Sequence, residues 1–279
     1  MDPREVLTRP APPPDFTVQY GDGPEHVADV RLPAGAGRAT LAGPAGPATL
    51  AEPASVDARP PVVFLHGGFW MAEYDRAHVG PLAADLAGRG YPVVCLEYRR
   101  VGQPGGGWPG TFEDVADGLA VVIERLGLGA PVLAGHSAGG QLALWAAGRV
   151  PCLGVLALAP VADLARGHEL GLGGGAVALL LGGGPADVPD RYAAVDPLRL
   201  VPPPVPVVVV HGDRDDRVPV ALGRDYVAAA RRAGAHARLV ELPGVEHFGL
   251  IDPRSAAWPS VLAALADLAA PGTARTAPR

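Results

Sequence analysis

Gly135–His136–Ser137–Ala138–Gly139 sets a serine between two glycines, after an apolar run and before an Ala/Leu-rich segment of helical pattern. The strand–turn–helix context makes the pentapeptide informative. A turn this tight forces the serine into a strained backbone conformation. The flanking glycines keep side chains out of the neighbouring strand and helix. The hydroxyl is lifted out at a helix N-terminus, toward which free N–H groups point. That arrangement suits acyl transfer, with Ser137 as nucleophile. The competing reading, a glycine-rich turn with a capping serine, fits the context less well.

Upstream, His66–Gly67–Gly68–Phe69–Trp70 closes another apolar run. Acyl transfer builds negative charge on a carbonyl oxygen, and amides in a side-chain-poor loop can approach that oxygen closely. Gly68 and Phe69 are candidate oxyanion donors, with the Ala138 N–H as a third. His66 is expected to brace the loop by hydrogen bonds. Downstream, His211–Gly212–Asp213–Arg214–Asp215–Asp216–Arg217–Val218–Pro219 offers three carboxylates after a buried-strand pattern. Asp215, three residues before Val218, is taken as the buried acid that holds the base. Asp213 and Asp216 are expected to be exposed or turn-forming. Glu246–His247–Phe248 lies on a loop after the last strand pattern and supplies His247 as general base. Serine, acid and histidine follow one of the chain orders that triads use. His26, His78, His168 and His236 lack such a context and are expected at the surface. Phe69, Trp70, Trp108 and Phe248 are candidates to line the substrate pocket, with core packing as the alternative for Trp108 and Phe69.

The elements that must position these residues are short. Val62–Leu65, Val93–Tyr98, Pro131–Ala134, Leu153–Ala159, Val205–Val210 and Ala237–Leu242 are apolar runs of strand length. Such runs suit strands covered on both faces, as in a parallel sheet. Helical patterns lie between them at His78–Arg89, Phe112–Leu126, Gly140–Gly148, Val220–Ala233 and Ala256–Ala269. The alternation predicts an α/β fold, a mostly parallel sheet flanked by helices. Phe16–Tyr20 and His26–Leu32 read as an antiparallel pair at the sheet edge. The Pro-rich residues 1–14 are expected to fray. Residues 33–60 are a low-complexity Ala/Gly/Pro stretch, expected to be a flexible insertion between strands. Residues 161–204 break the alternation and read as a short lid, with the 279 residues forming one domain.

Composition narrows the function classes. The formal net charge is −6, with no Lys/Arg-rich patch, which argues against a nucleic-acid partner. No run is apolar and long enough to span a bilayer, and the N-terminus has no apolar signal-like region, so a soluble cytoplasmic protein is expected. Cys95 and Cys152 read as free thiols in apolar surroundings. No cluster has metal-ligand spacing, so no metal is expected.

HGGFW, GHSAGG, HGDRDDRVP and EHF, in this order, resemble the kynurenine formamidase and carboxylesterase branch of the α/β-hydrolases, which carries an HGGXW oxyanion motif. The resemblance runs from about Val62 to Leu265. It implies the α/β-hydrolase fold, a cofactor-free hydrolase, and oxyanion donors at Gly68 and Phe69. The chemistry expected is cleavage of a small-molecule ester or N-formyl amide. Two other classes use the same features: an acyltransferase or thioesterase of a biosynthetic pathway, and a non-catalytic binding protein on the same fold. The sequence leaves the natural substrate and the oligomeric state open.

Overall fold

The computed structural model describes residues 3–34, 59–127 and 129–270. The expected insertion at 33–60 falls almost wholly on residues 35–58, which lie outside the described residues.

The apolar runs have no polar face to offer water, so they need cover on both sides. They form the centre of an eight-stranded sheet: β1 (Phe16–Gln19), β2 (Val27–Arg31), β3 (Val62–Leu65), β4 (Val93–Leu96), β5 (Val132–His136), β6 (Gly154–Leu158), β7 (Val207–Gly212) and β8 (Ala237–Leu242). Their spatial order is β1-β2-β4-β3-β5-β6-β7-β8. β2 runs antiparallel to both β1 and β4. Every other pairing is parallel. All residues of β3 to β7 are buried.

Alternate residues of each strand enter opposite cores. Val63 and Leu65 pack under α2 (Gly110–Arg125), α3 (Ala138–Ala146) and α7 (Val220–Arg232). Val62 and Phe64 pack under α1 (Gly80–Gly88) and α8 (Trp258–Ala269). The loops after β3, β5, β7 and β8 therefore gather at one sheet edge. That edge, outside the carboxyl ends of the strands, is where open α/β sheets bind ligands.

The N-terminal expectation is corrected. Pro3–Thr8 forms a 3-10 helix with Val6 fully buried in the α1/α8 core. Arg9 forms a two-pronged ion pair with Asp252. Burying one valine side chain is worth about 1.5 kcal/mol or more, enough with the ion pair to oppose fraying.

Residues 161–204 contain α4 (Leu164–Glu169), α5 (Leu172–Leu181), α6 (Pro189–Val195) and a 3-10 turn, Pro197–Leu200. Gly173–Gly175 all take positive φ, so the first turn of α5 is broken. The segment is pinned by polar contacts. Asp196 accepts from the backbone N–H groups of Leu164 (3.0 Å), Ala165 (3.3 Å) and Leu198 (3.3 Å). Gln141 and Trp145, both on α3, donate to the carbonyls of Val195 and Ala194. Asp196→Ala strands one buried and two partly buried amides and should cost about 2–3 kcal/mol of stability, read as a lower urea midpoint at unchanged m-value.

Candidate active site

Ser137 sits between β5 and α3 at φ 57°, ψ −117°, a left-handed conformation rare for a side chain larger than glycine. The glycine spacing has a steric cause visible on both sides. A Cβ on Gly135 would collide with the Gly139 carbonyl, and one on Gly139 with the Leu65 carbonyl. The Cβ of Ser137 would lie 3.2 Å from a Cβ built on Gly67, so the β3 loop packs directly against the serine.

That loop is wound backwards: Gly68, Phe69 and Trp70 have φ of 110°, 51° and 57°. Successive left-handed residues turn their N–H groups to one side. Among the described residues neither the Gly68 nor the Phe69 amide has a hydrogen-bond partner. Ala138 opens α3, where amides have no intrahelical acceptor. His66 braces the loop, as its sequence context suggests. Its Nδ1 lies 2.8 Å from the Gly67 carbonyl and its Nε2 2.8 Å from Glu97 Oε1. Its own carbonyl accepts from Tyr98 Oη at 2.8 Å. Burial pushes the Glu97 carboxyl upward, but His66 and Arg100 hold it below the usual carboxylate range. Sequence reasoning missed Glu97; a charged residue ending the apolar run of β4 was the available signal.

His247 begins a 3-10 turn, His247–Ile251, capped by Glu246, whose carboxylate accepts the Phe248 N–H at 2.8 Å. Its Nδ1 lies 2.6 Å from Asp215 Oδ2. Asp215 has a fully buried side chain, and its Oδ1 accepts the Arg217 and Val218 amides at 2.8 Å each. Burial alone would raise its pKa, but hydrogen bonds from His211 and His247 outweigh this and hold it well below the carboxylate range. Asp213 accepts from the Gly244 N–H at 2.6 Å, and Asp216 is exposed, so neither reaches the histidine. His136 Nε2 lies 3.1 Å from the His247 carbonyl and donates to it, fixing the loop that carries the base.

Ser137, His136, His247, Gly68, Phe69 and Phe248 line one cavity of about 460 Å³. Leu7, Met71, Tyr74 and Gly173 complete its apolar wall, with Arg4, Glu73, His78 and Arg217. A larger cavity, about 580 Å³, lies beside it under the N-terminal prolines but contains neither Ser137 nor His247. Two pocket assignments are corrected. Trp70 is fully buried and donates Nε1 to Gln141 at 3.2 Å, because its left-handed backbone turns the indole into the core. Trp108 lines a separate cavity with Phe112 and Trp145. His78 is not a surface residue either; it is buried, edge-on to His66. Cys95 is buried and Cys152 half-buried, and both are free. No group of three or more His, Cys, Asp or Glu side chains among the described residues could hold a metal ion. No described helix is long and apolar enough to cross a membrane.

The buried histidines set an acid limit. Burial, then repulsion from His66, lowers His78 from 6.5 to about 4. Burial, then His247, takes His136 well below 6.5. The folded values lie under the unfolded one, so the unfolded chain binds protons first. Stability is complete above about pH 6.5 and is lost as pH falls toward about 4. Asp196, raised by burial to about 6, opposes this in part, because its penalty fades below that pH. Urea titrations should show a net loss of about 2–3 kcal/mol between about pH 7.5 and 5; a flat profile would mean the histidines are not held neutral.

The strand order, the elbow after β5 and the loops after β7 and β8 define an α/β-hydrolase fold. Residues 60–160 match the family described as alpha/beta hydrolase fold. The chain is 25% identical over 268 residues to a rice protein (Oryza sativa subsp. japonica) named "Probable isoprenylcysteine alpha-carbonyl methylesterase ICME", with 83% of this chain and 57% of that protein covered. It is 30% identical over 212 residues to "Esterase LipQ" of Mycobacterium tuberculosis, with 67% of this chain and 50% of that protein covered. It thus spans about half the length of the curated relatives it matches. A thermophilic esterase from Thermogutta terrifontis shares the fold at a TM-score of 0.68 and 22% identity, with 94% of each chain covered.

Proposed function

We propose that this chain is a serine hydrolase of the carboxylesterase or arylformamidase type, cleaving small acyl esters or N-formyl amides. The observation that carries the reading is the buried Asp215–His247 contact at 2.6 Å in a site whose cavity is lined by both His247 and the strained Ser137. Ser137 Oγ attacks the carbonyl carbon while His247 Nε2 takes its proton. Asp215 holds the tautomer and stabilises the imidazolium. The Gly68, Phe69 and Ala138 amides donate to the oxyanion. His247 then protonates the leaving group, and water activated by the same histidine cleaves the acyl-enzyme. The esterase names of the two sequence relatives agree with this reading.

Phe69 and Phe248 place aromatic surface at the serine, where a flat leaving group can stack. Residues 161–204 contribute only Gly173 to the cavity wall, which leaves little apolar surface for a long acyl chain. The expected order of kcat/KM is 4-nitrophenyl acetate and butyrate over the palmitate, graded because each added methylene discriminates by only about 1–3 kcal/mol. A palmitate preference would overturn the small-acyl reading. N-formylkynurenine falling orders of magnitude below the acetate would leave the esterase and remove the formamidase.

A further inference from the structure

Arg217 follows the acid loop, two residues after Asp215. Its backbone N–H is committed to Asp215 Oδ1, but its side chain makes no hydrogen bond to any described residue. The side chain is only 34% exposed, and Nε is buried without a hydrogen-bond acceptor. The guanidinium has five N–H donors and cannot shed its charge, so leaving it partly dehydrated and unbonded is costly. Its one ionic neighbour among the described residues, Asp216, stands 3.5 Å from Nε and is itself 73% exposed, a weak surface pairing. Arg217 lines the same cavity as Ser137 and His247.

The rest of the wall does not neutralise it. Among the described lining residues Glu73 is the one carboxylate, and it is exposed to solvent. Asp215 is committed to His247 and to two backbone amides. His78 and His136 are both held neutral by burial. A forked, partly dehydrated donor facing a reaction site suits a planar anion, which it can bind through two parallel hydrogen bonds.

We propose that Arg217 is a substrate-binding residue and that the preferred substrate carries a carboxylate within reach of it. This rests on the hydrolase reading above and specifies its substrate class. The carboxylate can belong to the acyl group or to the leaving group, and two matched pairs distinguish them. Monomethyl glutarate against methyl pentanoate tests the acyl side. 4-Acetoxybenzoate against its methyl ester tests the leaving-group side.

In at least one pair the anionic member should have the higher kcat/KM by about 10- to 100-fold, the range of a charge-assisted hydrogen bond. Arg217→Gln should collapse that ratio, and Arg217→Glu should invert it. Arg217→Lys keeps the charge but not the fork, so the ratio should shrink without vanishing; it serves as the test if the other variants fold poorly. A ratio near one in both pairs, with the neutral esters still cleaved, overturns this proposal alone. A preference that survives Arg217→Gln, or is unchanged in Arg217→Lys, also overturns it. Failure to cleave any of the four esters, with no fluorophosphonate labelling of Ser137, overturns the hydrolase reading and this proposal with it.

Discussion

Ser137→Ala should lower kcat about 10⁶-fold and abolish labelling by a fluorophosphonate probe, while the protein still folds. The expected size follows from the division of labour in such a site. The Gly68, Phe69 and Ala138 amides and the cavity remain, so binding and oxyanion stabilisation persist, but no atom is left to form the acyl-enzyme. Alanine keeps the Cβ at φ 57°, so the strain of the elbow is unchanged and the flanking glycine contacts survive. Melting temperature should therefore move little, and loss of activity cannot be charged to unfolding. Mass spectrometry of the labelled wild type should place the adduct on the peptide containing Ser137. Full labelling of the alanine variant would move the nucleophile elsewhere.

Asp215→Asn is expected to cost about 10⁴-fold in turnover, the scale seen when a triad acid is replaced by its amide elsewhere. The amide can still accept the Arg217 and Val218 N–H groups through Oδ1, so the loop keeps its shape. What it cannot do is accept the His247 proton from the position of Oδ2, 2.6 Å from Nδ1, once an NH₂ occupies that position. The histidine then turns or takes the other tautomer, and Nε2 no longer accepts from the serine. Asp213→Asn and Asp216→Asn should each cost far less, because one side chain ties a turn to Gly244 and the other faces solvent. The three amide variants, assayed side by side at one pH, decide the assignment. A crippled Asp213→Asn with a near-normal Asp215→Asn would show the acid to be misplaced.

The fold and the site are legible only in part from the sequence. Val62–Leu65 and its sister runs are strands because a stretch without a polar face must be covered on both sides, and that is a local property. The elbow is local too. Gly135 and Gly139 answer to backbone atoms that the turn itself brings close, or that the next strand must bring close in a parallel sheet. The positions of Ser137, Asp215 and His247 at strand ends follow from the same alternation, since every parallel crossover returns the chain to one edge. Tertiary structure decided which way the remaining side chains point. Trp70 and Trp108 look like pocket aromatics in sequence, yet one finds Gln141 in the core and the other a separate cavity. His78 packs edge-on against His66, and His66 reaches Glu97, 31 residues further along the chain. Val6 and Arg9 tie down a proline-rich start through partners at the far end of the chain. No spacing rule reports such contacts. Backbone turns are governed by sterics within a few residues, whereas burial and charge pairing depend on what the completed fold brings alongside.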